Sequence, residues 1–178
     1  MIVGRLVSQL DEWGCGVACA ASALKISYVE AKRRLIKVKG RDIDEEPFGL
    51  ELEPILEVLK NGGKAFRTVN NGRNLPIGSI VFLSEELGKY AGSGHYLLKT
   101  NDGWMNPWGN FPESKPRAEY QTRLPRNTRV QVALVPLDGY SSVRPQFAST
   151  YSSSTKAPTC PACGRDCKAK STWARKPS

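Results

Sequence analysis

Cys15 opens the run Cys15-Gly16-Val17-Ala18-Cys19, and the single histidine, His95, stands far downstream in Gly94-His95-Tyr96-Leu97-Leu98. A thiol and an imidazole are the pair that acyl transfer through a thioester needs. A thiol attacks poorly at neutral pH until something favours its thiolate, and the first turn of a helix beside an imidazolium does so. Cys15 heads a small-residue segment that reads as a buried helix and is placed for the first of these; Cys19, one turn further in between Ala18 and Ala20, reads as inert core. His95 would act as general base and then as the acid that protonates the leaving amine, with Asn106 accepting the other ring N–H. A tetrahedral oxyanion needs two donors. The Cys15 backbone N–H and the Gln9 side-chain amide could supply them if the intervening loop curls back, and one such donor is commonly worth about 100- to 1000-fold in rate.

These four residues need a scaffold, and the hydrophobic pattern outlines one. The small-residue helix over 15–24 is followed by Ser27-Tyr28-Val29-Glu30, a capping-box pattern that launches an amphipathic helix to about residue 36. Lys32, Arg33, Arg34, Lys37 and Lys39 crowd its end, where they complement the helix dipole as a solvated face. A third helix is expected over 50–61, with Leu52, Ile55, Leu56 and Leu59 on one face and Gly62-Gly63 closing it. Strand patterns then occupy 65–69, 79–83, 95–100, 103–106 and 129–136, and Asn101-Asp102-Gly103 has the residues a tight hairpin turn demands. That hairpin would put His95 and Asn106 on paired strands. Tyr96, Trp104 and Trp108 read as packing residues of the same hairpin. Helices followed by antiparallel strands define an α+β domain.

Length and charge bound the rest. A chain of 178 residues with 40% hydrophobic content supports one domain of ordinary size with an appendage. The first twenty residues hold no apolar stretch of signal-peptide length, and nowhere do 18 apolar residues run together, so a cytoplasmic protein without a membrane span is expected. Five cysteines, two in the first helix and three near the C-terminus, are not the even spread of a disulfide framework and fit a reducing compartment. The net charge of +9 is divided as +4 over residues 1–137 and +5 over residues 138–178. After Leu137 the sequence turns to serine, threonine and proline, which bury too little apolar surface to offset ordering entropy. A boundary near Asp138 therefore separates a folded domain, 1–137, from a basic tail.

The tail carries Cys160-Pro161-Ala162-Cys163 and, four residues on, Cys167, which has the look of half a zinc ribbon. A closed structural zinc site takes four ligands, so either Asp166, a second molecule or a partner completes it, or the tail binds no metal at all. Lys168, Lys170, Arg175 and Lys176 around Trp173 could contact nucleic acid or another polyanion through phosphate neutralisation and stacking, or serve only as a solvated tail.

The segments 9–24, 49–63, 75–83 and 94–109, with Gln, Cys, His and Asn in that order, resemble the papain-like peptidases that process bacteriocin leaders, the double-glycine peptidases, and their free-standing relatives. The resemblance implies a papain-like fold, Cys15, His95 and Asn106 as triad, Gln9 at the oxyanion hole, and a peptide or protein substrate, with no cofactor needed for catalysis. Asn106-Pro107 departs from the family's usual Asp-Pro, which weakens electrostatic support for an imidazolium. The leader peptidases are fused to a transporter, whereas this sequence has no transmembrane or nucleotide-binding part, so a double-glycine leader is not implied. The expectation is a thiol hydrolase cleaving a peptide or isopeptide bond. The same triad would also suit a glutamine deamidase or transamidase, and a non-catalytic adaptor could keep the fold while binding nucleic acid or protein through the tail.

Overall fold

The computed structural model describes residues 5–41, 50–70, 72–85 and 94–137. Three helices come first: α1 (Cys15–Leu24), α2 (Tyr28–Lys39) and α3 (Leu52–Asn61). Six strands follow: β1 (Phe66–Asn70), β2 (Ile80–Glu85), β3 (Gly94–Thr100), β4 (Gly103–Asn106), β5 (Glu119–Gln121) and β6 (Thr128–Pro136). They form one antiparallel sheet in the order β1-β6-β2-β3-β4-β5. The α+β class expected from the pattern is the class observed. The tail, including Cys160, Cys163 and Cys167, and the boundary near Asp138 lie outside the described residues.

α1 is buried on nearly every side, as its alanines and glycine foreshadow, and packs on β3 and on both other helices. Gly16 is what lets it approach: a Cβ there would sit 2.8 Å from Ile55 and 3.3 Å from Tyr96. α2 begins at the Ser27 cap, whose hydroxyl accepts the Glu30 N–H at 3.1 Å. Glu30 does not complete the box, because its carboxylate accepts from Arg33 and Arg34 instead. The helix runs one turn past its expected end, since the lysines after Ile36 are good helix formers, and stops at Gly40 in the left-handed conformation (φ 79°).

One sheet face carries Ile80, Tyr96, Leu98, Met105 and Leu134 against the helices. The other gathers Val81, Leu83, Leu97, Trp104, Ala133 and Val135 into a second apolar cluster. β3 and β4 are joined by the two-residue turn Asn101-Asp102, with Leu98 opposite Met105 and Thr100 opposite Gly103. Thr100 locks the turn, donating to the Gly103 carbonyl and accepting from the Asp102 N–H. Lys99 lies over the Trp104 ring at 5.6 Å and donates to the Leu75 carbonyl. β5 had no signature: three residues, Glu-Tyr-Gln, show no apolar alternation, and their place is set by pairing with β4.

Gly94, beside His95, has a packing role. A Cβ there would fall 1.8 Å from the tip of the Phe82 ring, which in turn packs on Tyr96 at 4.8 Å between centroids. Gly94→Ala should therefore cost about 1–3 kcal/mol of stability through overpacking, read as a lower urea midpoint. Adding Phe82→Leu should restore much of it, and an unchanged midpoint in Gly94→Ala alone would mean that the ring swings aside freely.

Candidate active site

β3 and β4 bring His95 and Asn106 together. Continuing the Leu98–Met105 register puts Asn106 level with Leu97, diagonal to His95 on the sheet face shared with Leu83 and Leu97. The contact is direct, His95 Nε2 to Asn106 Oδ1 at 2.8 Å, and both side chains are buried. Asn106 Oδ1 also accepts the backbone N–H of Trp108 at 3.0 Å. A backbone N–H can only donate, so this second bond fixes which amide atom is the oxygen, and hence that Nε2 of His95 carries a hydrogen. In the neutral ring the lone pair then sits on Nδ1.

The Asn106-Pro107-Trp108 turn holds this arrangement. Trp108 stacks edge-on against Phe111 at 4.9 Å and donates from its indole to the Glu113 carbonyl. The Pro107 carbonyl accepts the backbone N–H of Gln9 at 3.2 Å, so the Asn106 turn and the loop leading to Cys15 are tied to each other. The Ser8 hydroxyl adds a second tie by accepting the Ala118 N–H.

Cys15 is the first residue of α1, with only 8% of its surface exposed, and it meets β3 at Tyr96, the residue next to His95. Burial raises the pKa of its thiol, while the backbone N–H groups of Tyr96, Gly16 and Cys15 itself pull the other way. Desolvation is the larger effect, so burial works against the thiolate that the helix position alone would favour. Cys19 is fully buried; burial and then the neighbouring Cys15 charge push its thiol far up, as befits a core residue.

Gln9 is buried and directs its amide into the loop before α1. Nε2 donates to the Asp11 carbonyl at 3.0 Å and the Glu12 carbonyl at 2.9 Å, and Oε1 has no hydrogen-bond partner. The loop wraps around the Gln9 side chain, and in this arrangement both amide hydrogens rest on the loop's own carbonyls. Tyr96, read from the sequence as packing, has a further part: its hydroxyl donates to the Leu50 carbonyl at 2.9 Å, fixing β3 against the entry to α3. Among the described residues no group of three His, Cys, Asp or Glu side chains is placed to hold a metal ion, and no helix is long and apolar enough to cross a membrane.

No protein-family model and no curated protein sequence matches the chain. Solved structures do. The peptidase domain of Streptococcus ComA, a bi-functional ABC transporter involved in a quorum sensing pathway, is 20% identical, with a TM-score of 0.46 over 74% of this chain and 96% of that one. A double glycine motif protease from an AMS/PCAT transporter, in complex with the leader peptide, is 10% identical, with a TM-score of 0.48 over 76% and 91%. The peptidase domain of Streptococcus mutans ComA is 19% identical, with a TM-score of 0.43 over 74% and 98%. Two of these structures are peptidase domains and the third is a protease.

Proposed function

We propose that this chain is a cysteine peptidase, in which Cys15 attacks a peptide or isopeptide carbonyl and is released by hydrolysis of the thioester. The observation that carries the reading is the buried His95–Asn106 bond on the strand that Cys15, the first residue of α1, meets at Tyr96. A histidine oriented by a buried amide, with its remaining nitrogen a base, is the arrangement that activates a neighbouring nucleophile. Because burial disfavours the thiolate, the proton leaves sulfur for Nδ1 of His95 as the carbonyl is attacked. The imidazolium then gives that proton to the departing amine, and a water deprotonated by the same ring opens the thioester. The oxyanion formed at each step is met by the Cys15 backbone N–H and by Gln9, which exchanges one of its two loop carbonyls for it.

The test is incubation with a proteome-derived peptide library, followed by mass spectrometry, with Cys15→Ala in parallel. New peptide termini formed only by the wild type are the expected outcome. Side-chain amides turned to acids would make the enzyme a deamidase, cross-linked peptides a transamidase, and identical products from Cys15→Ala would overturn a thiol mechanism altogether.

A further inference from the structure

The loop that carries the oxyanion donors is gripped from outside by α2, through one residue. Asp11 uses its backbone and its side chain for different jobs. Its carbonyl accepts from Gln9 Nε2 and, at 3.1 Å, from the Gly14 N–H, closing the turn that leads into α1. Its carboxylate accepts from the Tyr28 hydroxyl at 2.7 Å and from Lys32 Nζ at 3.1 Å, two residues one helical turn apart on α2. Tyr28 is buried, and the Asp11 and Lys32 side chains are only 22% and 20% exposed, so the cluster is not an ordinary surface ion pair of negligible value.

Gly14 supplies an independent sign that this geometry is specified. Its φ of −83° is open to any residue, so backbone freedom does not explain a glycine immediately before the nucleophile. Space does: a Cβ on Gly14 would lie 1.9 Å from the Tyr28 hydroxyl oxygen and 3.0 Å from the ring carbon that bears it. The residue preceding Cys15 is thus small where the Tyr28 hydroxyl passes to reach Asp11.

We infer that Asp11, Tyr28 and Lys32 are positioning residues, a clamp that sets the Gln9–Gly14 loop so that its two ends, the Gln9 amide and the Cys15 N–H, converge on one oxyanion. The inference rests on the peptidase reading above and adds to it residues outside the triad and the oxyanion donors. A clamp of this kind matters only to reactions that pass through an oxyanion. It should be silent in a direct displacement at sulfur.

Two probes separate these cases: p-nitrophenyl acetate acylates Cys15 through a tetrahedral oxyanion, whereas iodoacetamide alkylates the same sulfur without one. Tyr28→Phe keeps the ring and removes the hydroxyl; it should slow acylation by about 10- to 100-fold while alkylation stays within about twofold of wild type. Gly14→Ala should lower both Tm and the acylation rate. Adding Tyr28→Phe removes the clashing oxygen, so the double variant Gly14→Ala/Tyr28→Phe should regain Tm without regaining acylation. Wild-type acylation in Tyr28→Phe, or recovery of acylation together with Tm in the double variant, would overturn the clamp while leaving the thiol mechanism intact. Acylation that survives Cys15→Ala would instead overturn the mechanism on which the clamp depends.

Discussion

His95→Ala is expected to slow acylation of Cys15 by p-nitrophenyl acetate on the order of 10⁴- to 10⁶-fold, the scale on which loss of a triad base acts. Two observations set the size of the effect. Burial holds the Cys15 thiol above its ordinary value of 9.0, so at neutral pH the sulfur keeps its proton until a base takes it. The base must be the ring nitrogen not committed to Asn106, because Nε2–H is already donated to Oδ1. The sign for the uncatalysed thiol follows. Alkylation of the resting protein by iodoacetamide should be slow at neutral pH and climb as pH rises past 9.0, because the folded state disfavours the thiolate. Cys19→Ser keeps that profile if Cys15 is the reacting thiol. A fast alkylation plateau at mildly acidic pH, lost in His95→Ala, would instead mean a preformed thiolate–imidazolium pair and would overturn the neutral-thiol account. His95→Gln, which fills more of the buried site, guards against reading a folding defect as a catalytic one.

What was legible in the sequence followed from strong local rules. Ser27 marks the start of α2 because a hydroxyl cap is a local necessity, and the Asn101-Asp102 turn declares its hairpin in the same way. The hairpin then places His95 near Asn106, since two strands joined by so short a turn admit few registers. What stayed hidden depends on contacts between distant segments. β5 exists only because β4 offers an edge to it. That the Glu30 half of the capping box stays unmade could not be foreseen, as Glu30 has two arginines within reach on its own helix and a single backbone N–H behind it.

The electrostatic state of Cys15 was hidden for a related reason. Helix position is visible in a sequence and favours a thiolate; the burial that opposes it comes from the packing of α1 against β3 and the other two helices. Asp11 shows the same limit. Its neighbours Glu12 and Gly14 make it look like one more turn residue, and only the fold brings Tyr28 and Lys32 to its carboxylate. A site read from local signals thus leaves its supports out of view.

Asn106→Ala should lower acylation by about 10²- to 10⁴-fold and destabilise the fold as well. The side chain is fully buried, and its oxygen accepts two hydrogens, from His95 Nε2 and from the Trp108 backbone. Alanine leaves both donors without a partner where water does not reach, at about 1–3 kcal/mol for each orphaned group. The ring is then free to turn, and either nitrogen can carry the hydrogen, so Nδ1 is no longer held as the base. Asn106→Asp separates orientation from charge. A carboxylate oxygen can accept the same two hydrogens, so acylation should stay within about tenfold of wild type. The added negative charge favours the imidazolium and raises the histidine's pKa, so the ring remains protonated to higher pH and the acid limb of the pH–rate profile moves upward. Asn106→Ala adds no charge and should not show that displacement. If Asn106→Ala acylates like the wild type, the buried bond to His95 is packing and not orientation, and the triad reduces to a pair.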